Sequence, residues 1–165
     1  MDYSAVRDSI QSGDVVAFTH TGFGSLRDIQ AQIVRIATRS EYSHVGIVWK
    51  IVNRLFLLEA VVPEVRIFPL SNFEEFYLIP LNKKLSEKAE NYALSRVGQK
   101  YSKLEAIKGY FGWNKRDSYW QCAEFVSSVL KENEITITGK DTPTNIVREL
   151  LEKYSGKLEL ITNRR

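Results

Sequence analysis

The stretch HVGIVWKIVNRLFLLEAV, residues 44–61, contains two apolar runs separated by the polar residues Asn53 and Arg54. Runs of β-branched and aromatic residues joined by a short polar break predict a β-hairpin. This hairpin decides the fold, because its register sets which side chains face one another across the sheet. It carries a histidine at its head, His44, and a carboxylate near its end, Glu59.

Two registers are open for this hairpin. A turn at residues 52–53 places Glu59 opposite Gly46, with His44 two residues away on the same face. That diagonal is roughly 7–8 Å between backbone positions, within reach of two side chains, and Gly46 has no side chain to block it. A turn one residue later places Glu59 opposite Val48, too far from His44.

The other apolar patterns predict an α+β protein. Helices are expected at residues 3–11, 25–38, 84–98 and 102–111, just after Ser118, and from Thr142; further strands are expected at 14–18, 64–68 and 76–80. Helices and strands are segregated along the chain, which favours α+β over a doubly wound parallel sheet. The 165 residues, 1–165, are expected to form a single domain.

Composition narrows the class of function. The formal net charge is only +3, from 23 basic and 20 acidic side chains, which is too small to favour a nucleic-acid binder. A single cysteine cannot form an internal disulfide. No apolar run approaches the roughly 20 residues of a membrane span, and the N-terminus lacks the apolar core of a signal peptide. We therefore expect a cytoplasmic protein, unless a phage, a virus or a secretion system delivers it.

The only cysteine, Cys122, lies in WQCAEFV, residues 120–126. Its apolar neighbours follow at helical spacing: Phe125, Val126, Val129 and Leu130. A free cysteine on such a buried face is commonly an inert core residue. However, Ser118 and Gln121 have capping-box spacing, which places Cys122 in the first helical turn, where free N–H groups and the helix dipole favour a thiolate.

A nucleophilic cysteine needs a general base, and the chain has two histidines. His20 lies in the glycine-bounded loop HTGFG and is expected to be a surface residue. His44 begins an apolar strand, where a structural and a functional role are equally compatible with the pattern. Under the first hairpin register, Glu59 can hold the second imidazole nitrogen of His44, as the third member of a catalytic triad does.

Five segments in order resemble the permuted branch of the NlpC-type papain-like superfamily, which includes the YiiX-type bacterial hydrolases and, more distantly, lecithin:retinol acyltransferase. They are SGDVVAF (12–18), YSHVGIV (42–48), FLLEA (56–60), VGQKYS (97–102) and WQCAEFV (120–126). The resemblance implies Cys122 as nucleophile, His44 as base and Glu59 as orienting residue. It also implies a small antiparallel β-barrel or sheet packed with helices.

Further residues are candidates for shaping a substrate site. Asp14 and Tyr101 match positions of the family pattern, although a buried capping aspartate and a core tyrosine are equally compatible with it. The segment GYFGWNKRDSYW (109–120) precedes the nucleophile, and its Trp113, Tyr119 and Trp120 either line a cleft or cap the core.

The expected reaction is acyl transfer through a thioester, with no metal and no cofactor. The first expectation for the substrate is a peptide or isopeptide amide, such as a cell-wall stem peptide or another peptidoglycan-derived peptide. The second is a lipid ester or amide, cleaved or transferred by the same triad with peripheral membrane contact. A third hypothesis is a non-catalytic binding module with weak nucleic-acid affinity, and no stable nucleic-acid partner is expected.

Overall fold

The computed structural model describes residues 1–19, 41–100 and 121–163, which form an antiparallel sheet and several helices. The predicted α+β class is confirmed. In chain order the elements are α1 (Tyr3–Val6), β1 (Val15–Phe18), β2 (His44–Ile51), β3 (Arg54–Val61), β4 (Glu64–Pro69), a 3₁₀ turn (Leu70–Asn72), β5 (Glu75–Ile79), α2 (Glu87–Ser95), α3 (Cys122–Glu132), α4 (Pro143–Leu150), a π-helical turn (Leu151–Ser155) and β6 (Glu159–Thr162).

The sheet has six strands in the order β4-β3-β2-β1-β5-β6, and all five strand pairings are antiparallel. Within the described residues β4 and β6 are its two edges. The sheet is therefore open, and of the two expected forms, barrel and sheet, these residues adopt the sheet. The central strands are β2 and β1, and β2 contributes Val45 and Ile47 to the core on one face of the sheet and Val48 to the core on the other.

The hairpin β2–β3 has the first of the two predicted registers. Ile47 pairs with Leu58 and Ile51 pairs with Arg54, so the turn consists of Val52 and Asn53. Val52 adopts a φ of 52°, which is uncommon for a β-branched residue. The unfavourable backbone conformation of Val52 is outweighed by the apolar pairing along both strands. A shift of the register by one residue would turn every buried side chain to the other face of the sheet.

Two hydrophobic clusters cover the two faces of the sheet. One lies between the sheet and the helices, and α3 packs directly on β2 and β3. Its members from α3 include the four that helical spacing predicted, Phe125, Val126, Val129 and Leu130, all fully buried, together with Cys122 and Ala123. The second cluster lies on the opposite face, under α1 and the 3₁₀ turn. None of the helices in the described ranges has the length and apolar character needed to cross a membrane.

Several elements differ from the sequence prediction. Helix α2 spans Glu87–Ser95 instead of residues 84–98, with Ser86 as N-cap and Arg96 as C-cap. The first helix spans Tyr3–Val6 instead of residues 3–11, because the N–H and hydroxyl of Ser9 both bond to the carbonyl of Val6 and end it. Helix α3 begins at Cys122 instead of just after Ser118, since Gln121 has extended backbone angles and is the N-cap. Strand β6 was not predicted, because four residues are too few for a clear alternation.

Other predicted elements agree with the structure or cannot be compared with it. Helix α4 begins as predicted, with Thr142 as N-cap and Pro143 at the first position, and the Thr142 hydroxyl accepts a hydrogen bond from the N–H of Asn145. The helices expected at residues 25–38 and 102–111 lie outside the described residues.

Gly46 lies in β2 between His44 and the buried centre of the strand. A Cβ added to Gly46 would lie 2.8 Å from Cγ and Cδ1 of Leu57 and 3.0 Å from the carbonyl oxygen of Leu58. The structure thus adds a second reason for this glycine. Beyond leaving the diagonal from His44 to Glu59 open, it allows Leu57 to pack directly on the backbone beside the histidine.

We expect Gly46→Ala to lower the free energy of unfolding by about 1–3 kcal/mol, because the added methyl group overpacks the contact with Leu57. Urea unfolding at neutral pH measures the change. In the matched double variant, Leu57→Ala provides room for the methyl group, so its loss should be smaller than the sum of the two single losses. An unchanged midpoint in Gly46→Ala would contradict the close packing.

Candidate active site

Cys122 is the first residue of α3, and it lies where the helix meets the end of the hairpin. The sulfur is buried, with a residue exposure of 8%. The backbone N–H groups of Ala123, in the same helical turn, and of Val45, in β2, both hydrogen-bond to it. The first N–H groups of a helix have no partner within the helix, so a negative sulfur at this position is stabilised.

His44 lies between Cys122 and Glu59. Its Nε2 is 2.6 Å from Oε2 of Glu59, as the first hairpin register allows. A second hydrogen bond joins its ring to Cys122. Because Nε2 is engaged by Glu59, Nδ1 is the nitrogen left for the sulfur, and in the protonated ring both N–H groups donate. The imidazole of His44 therefore contacts both the sulfur and the carboxylate.

The three groups change one another's proton affinity. Burial on its own raises the pKa of Cys122 and lowers that of His44, because both charged forms lose hydration. The hydrogen bond and charge of His44 outweigh this effect and hold the pKa of Cys122 below its usual value. In turn, hydrogen bonds to Cys122 and Glu59 raise the pKa of His44 to about 10. Both shifts favour the thiolate–imidazolium pair over the neutral thiol and imidazole.

Sequence reasoning missed a fourth charged residue, Arg66. It is the direct cross-strand partner of Glu59 in the β3–β4 pair. Its Nε lies 2.8 Å, and its Nη2 2.6 Å, from Oε1 of Glu59. The signal was available in the sequence: an antiparallel turn at residues 62–63 places position 66 opposite position 59. Glu59 is only 1% exposed, so both of its carboxylate oxygens need such partners.

Aromatic rings support the site from one side. The ring of Phe18 lies 5.6 Å from that of His44, and Phe73 lies 4.8 Å from Phe18. Phe68 then contacts Phe73 at 5.3 Å, and the guanidinium of Arg66 lies over Phe68 at 4.4 Å. Two routes of contact thus connect the imidazole of His44 with the guanidinium of Arg66. One runs through the Glu59 carboxylate and the other through this row of rings.

The structure does not bring Asp14 to these residues. Phe18, at the end of β1, pairs with His44, whereas Asp14 precedes the other end of β1, about 13 Å away at the usual rise of a strand. Its carboxylate accepts hydrogen bonds from the N–H groups of Gln11 and Leu81. Asp14 therefore has the geometry of the buried capping aspartate, which was the alternative interpretation.

The remaining candidates lie outside the described residues. These are His20, Tyr101, Trp113, Tyr119 and Trp120. In the described ranges no group of three or more His, Cys, Asp or Glu side chains is arranged to hold a metal ion.

Comparison with known proteins supports the fold. No family model matches the chain, and no curated protein matches it. Among solved structures, the chain is similar to the metalloprotein yiiX (DUF1105) from Escherichia coli O157:H7. The TM-score is 0.57 at 19% sequence identity, over 93% of this chain and 88% of that chain. At this identity the similarity shows a shared fold, and the chemistry of the site has to be argued from its own residues.

We expect Cys122 to react with iodoacetamide as a thiolate at a pH well below the unperturbed thiol pKa of about 8.5. His44→Ala should shift that titration upward and slow the reaction at pH 7 by about tenfold or more, because the buried sulfur loses its cationic partner. The rate of alkylation against pH measures the shift.

The matched control is His20→Ala, which should leave the profile unchanged. A thiol that reacts only once the protein is unfolded would instead make Cys122 a core residue.

Glu59 should make the stability of the protein sensitive to acid. Burial raises the pKa of this carboxyl, but the hydrogen bond and charge of His44, followed by Arg66, outweigh it and lower the pKa below its usual value. Such a group stabilises the fold above its unfolded pKa of about 4.3, and that contribution is lost as the pH falls through the folded value.

We therefore expect the free energy of unfolding of the wild type to fall more steeply from about pH 5 to pH 3 than that of Glu59→Gln. Urea unfolding at a series of pH values measures both slopes. The exposed Glu152 offers a control, since Glu152→Gln should retain the wild-type slope. Equal slopes in wild type and Glu59→Gln would contradict the lowered pKa.

Proposed function

We propose that this protein is a cysteine hydrolase that cleaves an amide bond through a thioester intermediate. The observation that supports the proposal best is the line of contacts from Cys122 through His44 to Glu59, with the sulfur at the N-terminus of α3. A nucleophile, a base within hydrogen-bond distance and a third group that orients the base are the parts that covalent acyl transfer requires.

Acylation begins with attack of the Cys122 thiolate on the carbonyl carbon of the substrate. A carbon–sulfur bond forms and the carbonyl oxygen becomes an oxyanion, which backbone N–H groups at the N-terminus of α3 can stabilise. His44 then transfers its Nδ1 proton to the departing nitrogen, the carbon–nitrogen bond breaks, and the amine leaves. The acyl group remains on the sulfur as a thioester, and His44 is neutral.

Deacylation restores both groups. Neutral His44 removes a proton from water, the resulting hydroxide attacks the thioester carbon, and the carbon–sulfur bond breaks. The acid product leaves, the sulfur is again a thiolate, and His44 is again protonated. Throughout, Glu59 accepts the Nε2–H hydrogen bond, which fixes the ring and stabilises its positive form.

An amide is the first choice of substrate for a chemical reason and for a family reason. An amine leaves only if its nitrogen receives a proton, and the raised pKa of His44 favours a ring that carries one. The papain-like resemblance of the sequence adds a peptide or isopeptide, including one derived from peptidoglycan. If an acceptor other than water resolves the thioester, or if the acyl group comes from a lipid, the same groups perform acyl transfer.

Metal chemistry is a poor fit to these residues. The yiiX structure is described as that of a metalloprotein. In this chain, however, Oε1 of Glu59 is occupied by the cationic guanidinium of Arg66, and Oε2 is bound to His44. A metal ion at Glu59 would have to displace one of these partners and tolerate a positive charge beside it. The proposed reaction is therefore built on the thiol and the imidazole.

We expect Cys122→Ala to reduce turnover by about a thousandfold or more while leaving the unfolding midpoint nearly unchanged, because it removes the nucleophile and little volume. The assay presents peptide amides, isopeptides, fatty acyl esters and phospholipid vesicles in parallel. Intact mass after an acid quench should show an acyl adduct on the wild type that Cys122→Ala lacks.

His44→Gln should also lose turnover, and its matched control His20→Gln should retain it. Adducts from the fatty acyl substrates alone would move the function to lipid acyl transfer. Turnover that persists in Cys122→Ala would contradict the hydrolase, and salt-sensitive nucleic-acid binding without any adduct would favour the binding module.

A further inference from the structure

Four charged groups form a chain of contacts at the site, from Cys122 through His44 and Glu59 to Arg66, and their formal charges cancel. The thiolate of Cys122 and the carboxylate of Glu59 are negative, whereas the imidazolium of His44 and the guanidinium of Arg66 are positive. Without Arg66 the other three would sum to −1 in a buried position, where an uncompensated charge is costly. The three triad residues alone would therefore leave one negative charge unbalanced in the protein interior.

Several independent contacts fix the position of the Arg66 guanidinium. Two of its nitrogens, Nε and Nη2, converge on the single oxygen Oε1 of Glu59, at 2.8 and 2.6 Å. The opposite oxygen, Oε2, is thereby left for His44 at 2.6 Å. The guanidinium is held over the ring of Phe68, and Arg66 faces Glu59 directly in the strand register. Strand, ring and carboxylate all fix its position.

We propose that Arg66 is a positioning residue of this site, which holds the Glu59 carboxylate against His44 and supplies the positive charge that makes the four groups neutral. The inference deepens the proposed function, because it assigns a residue that acts through Glu59 on the reacting pair. A guanidinium suits this position, since it is a permanent cation and offers several N–H groups in one plane.

Among the residues that the structure describes, Arg66 is the cation paired with Glu59 besides His44. The charged groups acting on Glu59 are His44, from β2, and Arg66, from β4, and the group acting on His44 from α3 is Cys122. If Arg66 is replaced by a neutral residue, the carboxylate is free to rotate away from His44, and its negative charge is no longer balanced near the sulfur. The thiol should then recover its proton at a higher pH.

The test compares variants of Arg66 and Glu59 through the pH dependence of Cys122 alkylation by iodoacetamide. Arg66→Gln should move the thiolate titration upward and slow the reaction at pH 6 by about tenfold. Arg66→Lys keeps the charge and should recover a large part of that loss. In the Glu59→Gln background Arg66 has no carboxylate to hold, so the added Arg66→Gln change should move the titration much less than it does in the wild type.

Arg54→Gln is the matched control. Arg54 also stacks on a phenylalanine, with its guanidinium 5.6 Å from the ring of Phe56, but it lies at the opposite end of β3 from Glu59. This variant should keep the wild-type profile. Urea unfolding of each variant shows that the comparison is made on folded protein, and a purely structural role for Arg66 would lower stability without moving the titration.

The outcomes separate this inference from the proposed function. A low thiol titration in the wild type that is unchanged in Arg66→Gln would overturn the role of Arg66 and leave the Cys122–His44 pair intact. An equally large shift on adding Arg66→Gln to Glu59→Gln would overturn the action of Arg66 through Glu59. A wild-type thiol that titrates at its ordinary pH would overturn both, and a wild type with a low titration but no acyl adduct would refute the hydrolase alone.

Discussion

The site depends on one hydrogen bond across the hairpin, between Nε2 of His44 and Oε2 of Glu59. A buried carboxylate is stable only if its oxygens are paired, and this bond pairs one of them. It also fixes the imidazole so that its other nitrogen faces α3. The strand register brings the two side chains within reach, and Gly46 lets Leu57 pack beside the histidine. The position of α3 places the sulfur at the other side of the ring.

The surroundings of that hydrogen bond resist rearrangement. Arg66 binds the second oxygen of Glu59, and a row of aromatic rings runs from Arg66 back to His44. Loss of one member leaves a buried charge or a gap in the packing, so the arrangement acts as a unit. A rigid set of this kind suits a catalytic pair, because proton transfer requires donor and acceptor to stay at hydrogen-bond distance.

Much of this arrangement could be predicted from the sequence, for reasons that differ between elements. The hairpin was predictable because period-2 packing and a short turn allow few registers, and the core face of α3 followed from helical spacing. The choice between two registers was not predictable, because it depends on Val52 adopting an unusual φ. Arg66 stands out in the sequence only if β4 is paired with β3, which the short turn at residues 62–63 allows. The role of Asp14 depends on backbone N–H groups of Gln11 and Leu81, and the latter is distant in sequence.

The order of these residues along the chain has a consequence for synthesis. The histidine, the carboxylate and the arginine all leave the ribosome within residues 44–66, and the sulfur follows roughly 60 residues later, several seconds at about 5–20 residues per second. Until α3 reaches the sheet, the thiol has no imidazole beside it and keeps its ordinary, less reactive form. The activated thiol can therefore form only once α3 has packed on the sheet, late in folding.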